Sequence, residues 1–194
     1  MDEDTLLEQF VASFEKLDEM IVYGDIDPVA AELAGGESDK SGLKYWRPLK
    51  VSTDRSLCDL IYARLPGRFP PLFERLVLSY RWAEVDLQAY RLLANPPGPD
   101  LSGLLGQMSK DRSLWESLIP AGLIQFGMGP DIDDDPVCFD TKSRKDNGDC
   151  RIVKVDQEEI LGNKRVKVVA ELAPSFEDLV RQTIRRAGEL QPKA

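Results

Sequence analysis

The sequence contains no histidine in 194 residues. That absence excludes Ser-His-Asp and Cys-His catalysis, along with every metal site that needs an imidazole ligand. Cysteine is scarce: Cys58, Cys138 and Cys150 are an odd set, widely spaced, with no C-x-x-C pair. A disulfide framework and a zinc site are both poor fits, and the thiols read as reduced groups of a cytoplasmic protein. No run approaches the roughly 18 apolar residues that span a bilayer, and no basic segment precedes an apolar one near Met1. Neither a membrane partner nor a secretory signal is therefore expected. Basic residues are short as well, 25 Lys and Arg against 34 Asp and Glu, for a formal charge of -9. Nucleic acids and anionic lipids demand a basic face, so neither is expected as a partner. Gly122, Gly127 and Gly129 do not form G-x-G-x-x-G, so no phosphate cradle and no cofactor is expected.

The length suits one domain with a real core. We divide it into an N-terminal helix-and-loop extension over 1–52 and a core over 53–190. Thr5-Leu-Leu-Glu8 has the capping-box form, and Leu6, Phe10, Phe14, Leu17 and Ile21 recur at helical spacing. The pattern predicts a helix of about four to five turns, stopping near Tyr23-Gly24-Asp25. Residues 34–42 read as a glycine-rich loop, and 44–51 as an edge strand. Further helices are expected around Leu57–Leu65, from Pro70-Pro71 to Tyr80, and over 101–118. Short strands are expected at 84–87 and 90–93. From Gly122 the period becomes strand-like: 123–128, a hairpin turning at Asp146-Asn-Gly-Asp149, and 165–172. Val137, Phe139, Val153 and Val155 are read as one apolar face, which calls for a bulged turn. Ser175 caps a closing helix carrying Phe176, Leu179 and Val180. The class is α+β, with one mixed, mostly antiparallel sheet packed against helices.

Several of these segments carry a resemblance. Leu65-Pro66, then Pro70-Pro71-Leu-Phe-Glu-Arg-Leu-Val-Leu-Ser-Tyr-Arg-Trp82, then Gly122-Leu-Ile-Gln-Phe-Gly127 occur in order. Gly148-Asp149-Cys-Arg-Ile-Val-Lys-Val155 and Ala173-Pro-Ser-Phe-Glu-Asp-Leu179 follow. The ordered set, over about 57–184, resembles the SUKH superfamily of Smi/Knr-like proteins. The resemblance implies an α+β fold without catalytic residues. It also implies the role of many bacterial members, immunity proteins that bind toxins, often nucleases. The insertion at 95–118 and the acidic loop depart from a minimal member.

Asp131, Asp133, Asp134 and Asp135 crowd into five positions. As an EF-hand the loop fails, because its sixth and twelfth positions hold Pro136 and Lys142 instead of Gly and Glu. Three readings stand: a solvated acidic loop, a looser divalent-cation site, or a surface that speeds encounter with a basic toxin. We place the interface on these four aspartates, projecting from a rigid base, with Asp146 and Asp149 as its flank. Trp82, Trp46 and Trp115 are either interface anchors or core edges, and Trp82 is taken as the candidate anchor. No catalytic residue and no metal ligand is assigned. The rival from another class is a metal-assisted hydrolase using the acidic loop and Asp140; a third is a stress or assembly regulator acting through protein partners. The composition does not speak to oligomeric state.

Overall fold

Proline at the start and apolar residues at every turn make one helix the pivot of the molecule. In the computed structural model, which describes residues 2–22, 27–34, 38–130 and 132–190, this helix runs Pro71–Ser79. Pro71 sits where a missing N–H costs nothing, and Leu72, Phe73, Leu76 and Val77 are all buried. We number elements in chain order. Helices α1 (Glu3–Ala12), α2 (Phe14–Leu17), α3 (Pro28–Leu33) and α4 (Leu57–Tyr62) precede the pivot, α5. After it come α6 (Ser102–Met108), α7 (Arg112–Ala121), α8 (Gln157–Asn163) and α9 (Phe176–Glu189).

Two strands, β1 (Leu49–Lys50) and β2 (Tyr80–Arg81), form a small antiparallel pair. The main sheet is a six-stranded meander in sequence order. Its strands are β3 (Val85–Asp86), β4 (Arg91–Leu92), β5 (Leu123–Met128), β6 (Pro136–Asp140), β7 (Ile152–Val155) and β8 (Val168–Ala173), and every pairing is antiparallel. The architecture is therefore α+β.

Phe73 lies at the centre of the main core, with ring centroids 4.9 Å from Phe139, 5.1 Å from Phe69 and 5.2 Å from Phe176. Phe126 and Phe139 stack at 4.1 Å. Each such pair adds about 0.5–1.5 kcal/mol beyond the area it buries. The N-terminal helix is part of this core: Leu6, Leu7, Phe10 and Phe14 are buried in it, and α1 packs on α5 and α9. Asp2, rather than the expected capping box, caps α1 by accepting from Thr5 N–H at 2.9 Å. The long first helix is broken at Ser13, whose hydroxyl donates to the Phe10 carbonyl at 2.6 Å. Its expected stop, at Tyr23-Gly24-Asp25, lies outside the described residues, which end at Val22 and resume at Asp27.

The hairpin faces require a correction. Phe139 pairs with Ile152 and Cys138 with Val153, so Val153 and Val155 lie on the face opposite Phe139. They belong to a second cluster with Leu114, Leu118, Leu123, Cys138 and Ile160. The reason is that α7 and α8 cover the back of the sheet. Every residue of β6 is buried and both faces of the sheet carry an apolar cluster, so alternation cannot fix the register. The turn itself is bulged as expected: Gly148 N–H donates to Lys145 O, Lys145 N–H to Asp149 O, and Gly148 has φ +83°. A turn followed by a left-handed glycine matches the twist of the flanking strands. The strand expected at 44–51 shrinks to β1 plus isolated bridges at Tyr45 and Trp46. The helix expected over 101–118 is two helices, and α8 was not anticipated.

Candidate functional site

The acidic loop joins β5 to β6. Its spacing is set by a turn that Asp133 N–H closes on Pro130 O (2.9 Å) and by Gly129 N–H on Asp135 O (2.9 Å). The Asp133 carboxylate occupies the space where a side chain on Gly129 would start, so glycine is required there. Asp131 lies outside the described residues. The other three aspartates are not left to repel one another in solvent.

Two cations the sequence reading passed over brace them. Arg91, on β4, donates to Asp134 Oδ1 at 2.6 Å, to Gly129 O at 3.0 Å and to Asp133 O at 3.3 Å. Its Nη1 also reaches Glu84 at 3.4 Å. Lys154, on β7, lies 2.8 Å from Asp133 and 3.6 Å from Asp135. Asp135 also accepts from Gln157 N–H at 2.9 Å, at the start of α8. The Lys154 ammonium holds the Asp133 carboxyl below the usual carboxylate range, and Asp133 in turn raises Lys154. A basic residue does compensate the clustered charge, but it is intramolecular. The signal that could have found it is Lys154 itself, a cation in the apolar run Ile-Val-Lys-Val.

What the braced loop leaves outward is Asp134, with a side chain 61% exposed, and Ile132, 96% exposed. Beside it opens a groove of about 500 Å³ lined by Glu84, Arg91, Lys110, Gln125, Asp134 and Gln157, among others. Partial desolvation beside this groove raises the Glu84 carboxyl above its ordinary range, although its side chain is 39% exposed.

The other predicted residues lie elsewhere. Asp146 and Asp149 sit in the β6–β7 turn, whereas the acidic loop is the β5–β6 connection. Consecutive connections of an antiparallel meander alternate between the two ends of the sheet, so these turns are separated by the length of β6, roughly 13 Å. They do not flank the loop. Asp146 is exposed, but Asp149 is buried. Its carboxylate accepts from Cys150 N–H (2.8 Å), Phe176 N–H (3.0 Å) and Glu177 N–H (3.4 Å), closing the start of α9. Trp82 is fully buried, its Nε1–H donating to Leu93 O at 2.9 Å. A side chain with no exposed surface cannot anchor an interface, so the core reading of Trp82 holds. Trp46 is buried as well.

Among the described residues the hydrolase constellation is not assembled. Asp140 is at the far end of β6 from the loop, ion-paired to Arg151 at 2.8 Å and capping Lys142 N–H. Among the described residues no three Asp, Glu or Cys side chains converge as metal ligands. All three thiols are buried, and burial raises each one, Cys58 to about 11 and Cys150 to about 12, which keeps them protonated at neutral pH. No described helix is long and apolar enough to cross a membrane. No family model matches the chain, and no curated protein matches it.

Proposed function

We propose that this chain is a non-enzymatic, cytoplasmic protein-binding protein of SUKH type. In this reading it is an immunity protein that neutralises a basic toxin, with a nuclease as the favoured class. The observation that carries the reading is the braced loop: Arg91 and Lys154 hold it through Gly129 and Asp133, while Ile132 and the Arg91-paired but largely exposed Asp134 face outward. A loop already held in one shape loses little conformational freedom when a partner docks. An exposed aliphatic group beside a carboxylate offers an apolar contact and a charge to one partner patch. The net charge of -9 supports the same choice, since a nuclease must present cations to its substrate and an acidic inhibitor complements them. The α+β meander agrees with the fold the resemblance implies.

The test is neutralisation. The full chain is co-expressed with the toxin domain encoded beside it, and growth is compared with and without the chain. Rescue by the wild type, weakened by Ile132→Ser, supports the reading. A gene embedded in a metabolic operon, with no toxin it rescues, overturns it. A stress or assembly regulator would use the same surface and would give no rescue.

A further inference from the structure

Arg81, the second residue of β2, lies two positions after the end of α5 and is 3% exposed, yet no carboxylate lies within ion-pair distance of it among the described residues. Its Nη1 donates to Val77 O (2.7 Å) and Tyr80 O (3.1 Å), and its Nη2 to Thr53 Oγ1 (2.7 Å). The two carbonyls do not need it. Asn95 Nδ2 donates to the same pair, at 3.1 and 2.7 Å, so the end of α5 is already satisfied by a neutral side chain. A buried guanidinium whose structural bonds are duplicated carries a desolvation cost without an anion to offset it. Burial accordingly lowers its pKa, and no neighbouring charge contributes to that shift.

The Arg81 side chain faces a pocket. A cavity of about 460 Å³ is lined by it, by Ser52 and Thr53, and by the apolar groups of Leu49, Val51, Leu57, Pro97 and Pro99. Such a volume lies within the ordinary range for small-ligand sites. The Nε–H makes none of the hydrogen bonds above, nor does one of the two Nη2 hydrogens. The residue that carries these donors lines the cavity.

We propose that this pocket binds a small organic monocarboxylate. Its carboxylate would bond the free donors of Arg81 and the Ser52 hydroxyl, and its apolar body would lie against Leu49, Val51 and Leu57. Arginine presents planar donors that match a carboxylate. Asp54, also in the lining, is held by Ser56 N–H at 2.8 Å. Its charge at the rim disfavours a multiply charged anion, which selects a monocarboxylate over phosphate.

The experiment titrates the full chain with hexanoate, phenylacetate, hexan-1-ol and inorganic phosphate, following backbone amide shifts. The two carboxylates are expected to give saturable shifts at Val51, Thr53 and Leu57 with Kd at or below about 1 mM, while hexanol and phosphate bind at least about tenfold more weakly. Arg81→Lys keeps the charge but loses the planar fork, and should weaken hexanoate at least about tenfold. Ser52→Trp blocks the cavity from an exposed position on its lining. It should abolish the shifts while the rest of the amide spectrum stays in place, and because it leaves the Arg81 side chain and its bonds to Val77, Tyr80 and Thr53 unmutated, it keeps the test decisive if Arg81→Lys does not fold. Hexanol or phosphate binding as tightly as hexanoate, no saturation up to about 10 mM, or unaltered binding by Ser52→Trp would each overturn the proposal.

Discussion

Asp149 illustrates how little a residue's type says about its role until its surroundings are known. In the sequence it is an acid beside Asn-Gly, fit for a solvent-exposed turn. In the fold it is a buried acceptor that caps α9 together with Ser175, whose hydroxyl oxygen accepts from Asp178 N–H at 3.0 Å. Charge-assisted bonds of this kind contribute about 1.5–3 kcal/mol, and the helix N-terminus adds to the preference for an anion. Asp149→Ala should therefore lower stability by about 1.5–3 kcal/mol, read as a shift in the urea midpoint, and Asp149→Asn by less. A change below about 0.5 kcal/mol, the range of ordinary surface substitutions, would mean the cap is idle. Asp133 makes the complementary case, visible in pH. Its carboxyl is depressed below the ordinary value by Lys154. The stability it contributes is fully present above the unfolded value, about 3.9, and is lost as pH falls through the lower folded value. Asp133→Asn should flatten the loss of stability below about pH 4. Calorimetric melting between about pH 3 and 6 checks this, and an unchanged acid slope would remove the Lys154 pair from the account.

Among the elements, those whose signals are local were legible. Proline at a helix start marked α5, a Ser-x-x-Asp cap marked α9, and 123–128 matched β5 residue for residue. What depended on tertiary context was not. The sequence alternates in β6 and β7, but both faces of the sheet are covered, so the parity that pairs Phe139 with Ile152 is invisible along the chain. Helix α8 has one buried residue, Ile160, in seven, too few to show a period. Within the candidate site, the aspartates were legible and their role was not. Arg91 is far from them in sequence and reaches them because β4 pairs with β5. The two-core arrangement makes a prediction. Phe139→Ala empties the aromatic cluster and should cost about 3–5 kcal/mol. Val153→Ala, on the other face, should loosen the contact with α7 and α8 and leave the aromatic cluster intact. Near-ultraviolet circular dichroism separates them: a loss of aromatic signal in Phe139→Ala and none in Val153→Ala is expected. Equal loss in both would mean that the faces are not separate.

For the molecule as a whole, the sheet fixes what can act together. The acidic loop and the groove beside it occupy one end, and Asp146 the other, so a single partner patch reaches Ile132 and Asp134 without Asp146. Exposed charge acts chiefly on encounter, and buried apolar contact on residence time. The most direct test is the association and dissociation kinetics of the full chain with its toxin at about 0.01 M and about 0.15 M salt, between which the Debye length contracts from about 30 to about 8 Å. Asp134→Asn should slow association severalfold at the lower salt and converge with wild type at the higher. Ile132→Ser should raise the dissociation rate by about tenfold at both, equivalent to about 1.4 kcal/mol. Wild-type rates for both variants at both salts would contradict the account, and the loop would then be solvated surface rather than an interface.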